Sequence, residues 1–247
     1  ENYIDGVTIT KDEFKQKMIA SSELPKTAQP SIGRFVEVYD ELGKNGDSVI
    51  SIQMMRSISG TVDAARQAAD ITETNVTVVD SDFTSRSMGM IVKEAAKAAQ
   101  EGKSVEEILE IVEDAKKRTT LYLTVVNLDN LIKGGRISQL MGMFSNLLNI
   151  KLFLQVIHGK IEIIQKGRGL KSLQKKYEEI FEEMKAVPSG IQEIGIMHAG
   201  LSEFNEGNIA RIRELFPDVP LTIVTTSPII MSHTGVDAMA ITYLENK

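Results

Sequence analysis

Cysteine is absent from this 247-residue chain. That excludes a disulfide framework and any thiolate metal site. Positive charge is in deficit: 28 Lys and Arg against 34 Asp and Glu leave a net charge of −6, and the three histidines are scattered. Without a basic stripe to neutralise phosphates, nucleic acid is not expected as a partner. No apolar run is long enough to cross a bilayer. The most apolar stretch, "NLLNIKLFLQVI" from Asn146 to Ile157, is broken by Lys151 and falls short of the roughly 20 residues a spanning helix needs. No signal-peptide pattern is visible, so the cytoplasm is the default expectation. Repeats, low-complexity tracts and a Pro/Gly-rich linker are also missing. Glu1 is not a natural start, so further N-terminal residues are expected to precede it.

What remains is a globular composition, 42% apolar and 25% charged, sufficient for one large or two ordinary domains. Apolar runs rich in β-branched residues alternate with helical patterns. Ser48 to Gln53 reads as a strand, Val62 to Ala69 as a helix, Asn75 to Asp80 as a strand and Ser87 to Gln100 as a helix. Ser104 followed by Glu107 forms a capping box for a further helix reaching about Lys117. This is the pattern of a parallel sheet with helices on both faces. Beyond residue 120 come a strand from Leu121 to Val126, a glycine-basic loop, a hairpin around His158-Gly159 and a charged helix from Leu170 to Met184. A strand–helix–strand unit follows: Gly190 to His198, Glu206 to Leu215, Leu221 to Thr225. Two α/β domains are expected, 1–120 and 121–247.

Chemistry concentrates in four short segments. "SISGT" (Ser57 to Thr61) lies where a strand runs into a helix, the place where an open α/β sheet receives its ligand. Ser59 or Thr61 can cap that helix, and Gly60 lets backbone approach closely. The remaining hydroxyls can donate to a carboxylate or phosphate. "LDNLIKGGRIS" (Leu128 to Ser138) sets a Gly-Gly pair between Lys133 and Arg136. "LPKTAQPS" (Leu24 to Ser31) presents Thr27 between two prolines. "TSPIIMSHTGVDA" (Thr226 to Ala238) puts His233 beside a glycine turn. Each alone reads equally as a cap, a turn or a structural histidine.

In order, and with "YIDGVTIT", "VVDS", "LLNIK" and the Lys166/Arg168 pair, these segments resemble the DegV family of bacterial fatty-acid-binding proteins over essentially the whole chain. The family includes the binding subunits that present acyl groups to fatty acid kinase. The resemblance implies a Rossmann-like parallel-sheet α/β/α domain and a second α/β domain with a mixed sheet and a buried acyl tunnel. It implies that a carboxylate head is held by Thr27, Ser59 and His233, with Arg136 near the site. Family chains begin with a strand ending in Asp-Ser, so the first domain of this sequence is expected to lack that strand. Ala28 stands where the family has serine, and "HTGVDA" where it more often has Pro-Gly.

The expected activity is therefore carriage of a long-chain fatty acid, with no catalytic turnover and no cofactor, and with a fatty acid kinase as possible partner. Leu147, Leu148, Ile150, Leu152, Phe153 and Leu154 are expected in the tunnel or core. Two rival classes are open. A substrate-binding subunit similar to dihydroxyacetone kinase would use His233 on a carbonyl substrate. A serine hydrolase would use Ser59 and His233, but no G-x-S-x-G elbow is present.

Overall fold

The computed structural model describes residues 1–136 and 149–247. Its contacts divide the chain into two compact units. The smaller comprises Ala28–Thr119 with Val156–Lys160, and the larger comprises Glu1–Thr27, Thr120–Gln155 and Ile161–Lys247.

The smaller unit is built on two parallel strands, β1 (Val49–Gln53) and β2 (Val76–Asp80), in register from Val49 opposite Val76 to Gln53 opposite Asp80. Their crossover is α3 (Thr61–Ala69), which buries Val62, Ala64, Ala65 and Ala68. Three alanines on one face let this helix lie close to the strands, and alanine has the highest helix propensity. Around them pack α2 (Ile32–Gly43), α4 (Ser85–Gln100) and α5 (Val105–Arg118). The start of α5 is the expected capping box: Glu107 N–H donates to Ser104 Oγ, and Ser104 N–H donates to Glu107 at 2.8 Å. Inside the unit, Tyr39 OH and Ser51 Oγ share a 2.7 Å hydrogen bond, and Gln53 Nε2 donates to Ser51 at 2.8 Å. Burial pushes the Tyr39 hydroxyl pKa up. Among the described residues β1 has one strand neighbour. A groove of about 610 Å³ runs along it, walled by α2 through Phe35, Val38 and Leu42 and by α4 through Val92 and Ala95.

The larger unit carries a six-stranded mixed sheet. In chain order its elements are α1 (Lys11–Ala20), β3 (Thr119–Val125), α6 (Asp129–Lys133), β4 (Ile150–Ile157), β5 (Lys160–Arg168), α7 (Leu170–Lys185), β6 (Ile191–His198), α8 (Glu203–Leu215), β7 (Leu221–Thr225), α9 (Pro228–Thr234) and β8 (Met239–Glu245). The sheet order is β5-β4-β3-β8-β6-β7. β3 and β4 are antiparallel, as are β6 and β8, while β6 and β7 are parallel. Side chains alternate across β3 and β4, and both faces are apolar. Tyr122 and Phe153 enter the core formed with Tyr177 and Phe181 of α7 and Ile212 of α8. Leu152 and Leu154 join Val125, Leu128 and Leu131 on the other face. A sheet covered on both faces in this way reads as near-continuous hydrophobic runs rather than alternation.

One expected boundary is corrected. Residues 1–27 do not belong with the α2–α5 unit, because α1 packs on the larger one: Met18 is buried with Ala199, Met231 and Ala238. Lys11 Nζ of the same helix donates to the carbonyl of Thr225 at 2.6 Å. Four elements left without assignment in the sequence reading, α1, α6, α9 and β8, complete the larger unit.

Candidate functional site

The site is built around α9. Ser227 caps this helix by accepting from Ile230 N–H, Pro228 occupies its first turn, and Gly235 ends it at φ +75°. These signals fix the place of His233 in the last turn. His233 Nε2 lies 2.9 Å from Thr27 Oγ1, so the loop "LPKTAQPS" and the segment "SPIIMSHTG" meet through the two side chains that the sequence singled out.

The other ring nitrogen of His233, Nδ1, is buried and has no hydrogen-bond partner among the described residues. It faces Gly134, where a methyl group on the α-carbon would come 2.6 Å from Nδ1 and 2.7 Å from the carbonyl of Asn130. Burial, with the Arg136 guanidinium as a lesser cause, holds the His233 pKa below the ordinary histidine value. The ring is therefore neutral near pH 7 and carries a single N–H. A proton on Nδ1 would bury a donor without an acceptor, a cost comparable to a lost hydrogen bond. With the proton on Nε2 the ring donates to Thr27 Oγ1, and the threonine's own hydrogen is left to point at a third atom.

Asn130 fastens the neighbouring turn to α9. It is nine-tenths buried, and its Nδ2 donates to the carbonyl of Ser232 at 3.1 Å. The same short helix sends Leu131 into the apolar cluster with Val125, Leu152 and Leu154. One turn of α6 thus touches both the polar pair and the apolar layer. Sequence reading named the Gly-Gly segment but gave Asn130 and Gly134 no role; their signal was the spacing of a polar residue four before the glycine, on a helix too short to show periodicity.

Ser59 belongs to the smaller unit, whereas Thr27 and His233 belong to the larger. Its Oγ accepts from Thr61 N–H at 3.2 Å and shares a hydrogen bond with Thr61 Oγ1 at 2.7 Å. The N-cap of α3 is Gly60, with no side-chain cap, so neither Ser59 nor Thr61 caps the helix as expected. A side chain at Gly60 would meet the end of the Gln29 carboxamide of the "LPKTAQPS" loop, which would have to swing aside.

Of the expected apolar residues, Leu152, Phe153 and Leu154 are fully buried and Ile150 packs against the cluster of Leu152 and Leu154. Leu147 and Leu148 lie outside the described residues. Arg136 Nη1 donates to the carbonyl of Gly134 at 2.7 Å. A triad histidine is oriented through its second nitrogen by a carboxylate; here that nitrogen faces Gly134. Among the described residues there is no cluster of three His, Asp or Glu able to hold a metal ion, and no helix is long and apolar enough to cross a membrane.

The chain as a whole is similar to known proteins. A DegV domain-containing protein of Streptococcus pneumoniae serotype 4 is 40% identical over 239 residues, covering 97% of this chain and 85% of the relative. The crystal structure of DegV, a fatty acid binding protein from Bacillus subtilis, superposes with a TM-score of 0.89 at 28% identity, covering 100% of this chain and 88% of that one. A Streptococcus pneumoniae Fatty Acid Kinase (Fak) B3 protein, crystallised loaded with linoleic acid, gives a TM-score of 0.81 at 26% identity, covering 99% and 86%. The family model described as "Uncharacterised protein, DegV family" matches residues 1–246, and with the fold and the motif order in agreement the chain belongs to the DegV family.

Proposed function

We propose that this chain binds a long-chain fatty acid, buries its acyl tail in the apolar layer beside β4, and presents the carboxyl group to a kinase of the fatty-acid type without turning over substrate itself. The observation that carries the reading is the 2.9 Å pair of Thr27 Oγ1 and His233 Nε2. The imidazole N–H donates to Thr27 Oγ1 and frees the threonine hydroxyl hydrogen for a ligand oxygen, and α6 joins that point to the cluster of Leu131, Leu152 and Leu154. Ser59 is a further donor in this reading, on the strength of its motif at the turn that opens α3. Support comes from the Bacillus subtilis relative, which is a fatty acid binding protein, and from the kinase-associated Streptococcus pneumoniae protein loaded with linoleic acid.

The energetics suit a carrier. Burial gains about 0.8 kcal/mol per CH₂, so a long tail contributes roughly 10 kcal/mol before the cost of ordering it. A charge-assisted hydrogen bond contributes about 1.5–3 kcal/mol. The tail then sets affinity and the head sets orientation.

The test is mass spectrometry of an organic extract of the purified protein, followed by oleate binding to the delipidated chain. A co-purified linear fatty acid and saturable oleate binding are expected. A protein that emerges free of lipid and ignores oleate overturns the reading, as does hydrolysis of acyl esters or consumption of ATP by the isolated chain.

A further inference from the structure

Around His233 the short helices α6 and α9 interlock in a reciprocal way. Gly134, just past the end of α6, lies against the imidazole of His233, and Gly235, just past the end of α9, lies against the carboxamide of Asn130. At Gly235 a methyl group would come 3.3 Å from Asn130 Oδ1, and its φ of +75° is strained for any other residue. Each helix thus offers one side chain and receives the other's side chain on a bare α-carbon. The link is closed by the hydrogen bond from Asn130 Nδ2 to the carbonyl of Ser232, the residue before His233. Gly134 N–H in turn donates to the carbonyl of Asn130 at 2.8 Å, which holds the glycine at the ring.

We propose that Asn130 and Gly134 are positioning residues for the head-group site: together they lock the plane and rotamer of His233 so that its Nε2–H stays on Thr27 Oγ1 and the threonine hydroxyl hydrogen is aimed at a ligand oxygen. The proposal rests on the carboxylate reading above. Neither residue touches the ligand in it; both act through the imidazole. A flip of the ring would take Nε2 away from Thr27 and forfeit their 2.9 Å hydrogen bond. A side chain at position 134 would push the ring off the Thr27 hydroxyl.

A double-mutant cycle decides it, using oleate and methyl oleate as probes on the full 247-residue chain. Gly134→Ala is expected to weaken oleate binding about tenfold, the worth of one misplaced hydrogen bond, while methyl oleate changes little. In a His233→Ala background the same substitution should cost nothing further, since the residue it acts through is gone. An equal tenfold loss in both backgrounds overturns the proposal. Because alanine at 134 also approaches the Asn130 carbonyl, Asn130→Ala is run in parallel; it removes the tether without adding atoms and should show the same dependence on His233. The imidazole NMR signals of the unliganded protein give a readout independent of any ligand. Those of His233 should move in Gly134→Ala while those of His158 stay in place, and unmoved His233 signals sink the proposal. If His233→Ala binds oleate as the wild type does, the carboxylate reading has failed, and the ring signals alone then decide whether Gly134 positions the histidine.

Discussion

Thr124 Oγ1 and Tyr177 OH share a 2.6 Å hydrogen bond inside the larger unit, where both residues are shut off from water. Burial pushes the Tyr177 hydroxyl far above the usual tyrosine pKa, so it is neutral near pH 7. Tyr177→Phe leaves the threonine hydroxyl buried without a partner and should cost about 1–3 kcal/mol. Thr124→Val combined with Tyr177→Phe removes both polar atoms and should recover much of that loss. Urea midpoints of the two variants check this; a double variant less stable than the single one would contradict it.

The histidines set a pH dependence. Burial depresses the folded-state pKa of His233 and of His198, with Arg136 and the lysines Lys15 and Lys11 as the respective lesser causes. Between those depressed values and the ordinary 6.5, the unfolded chain binds protons that the folded chain refuses. Their contribution to stability is therefore complete above the unfolded value and is lost as pH falls through the window below it. The melting temperature should drop between about pH 7.5 and about pH 5.5, and His198→Gln should flatten the slope. A slope identical to the wild type would remove His198 from the account.

Ser59 separates head-group recognition from helix capping. Because the N-cap of α3 is Gly60, Ser59→Ala deletes a hydroxyl that bonds Thr61 and that the proposed function assigns to the carboxylate. Affinity for a free fatty acid should fall by about 1.5–3 kcal/mol, roughly 10–150-fold, with little change for the methyl ester. Equal losses for acid and ester, with a lowered melting temperature, would point to damage of the turn.

The hairpin between β4 and β5 offers a test of steric fit. His158 and Gly159 take φ of +49° and +69°, the two left-handed residues of a tight hairpin turn. A methyl group on Gly159 would come 2.6 Å from Asp82 Oδ1, whose carboxylate also holds Lys116 Nζ at 2.7 Å. Gly46 has a similar φ of +84° but open space around it. Alanine at 46 should show backbone strain alone, about 1 kcal/mol, and alanine at 159 distinctly more. Equal urea midpoints would mean that Asp82 yields freely.

Long periodic segments were legible in the sequence: the β1–α3–β2–α4–α5 run, the charged helix α7 and the capping box at Ser104 all stand where periodicity and caps put them. Thr27 and His233 were found by motif and do meet. Three features were not legible. The helix α1 is polar on nearly all sides, with Met18 as its buried residue, so nothing in its pattern says which unit it joins. In β8 the apolar residues run together without alternation, as in a strand with both faces covered, and periodicity alone does not tell such a run from a buried helical segment. The roles of Asn130 and Gly134 depend on α9 arriving from a hundred residues away, which no local spacing encodes.

The placement of β8 has a consequence for how the protein is made. β3 and β6 are never neighbours; β8 lies between them, and its residues are synthesised after both. Until the ribosome releases Met239–Glu245, β5-β4-β3 and β6-β7 exist as two fragments of a sheet, each with an unsatisfied edge. The smaller unit has no such wait, since β1 and β2 pair over a short stretch of chain. Assembly is therefore ordered in time, with the Rossmann-like half able to form early and the larger sheet closing late, as expected when pairing spans long sequence separations. Emergence of β8 from the ribosome closes the seam, and a chaperone that shields bare strand edges would matter most just before it.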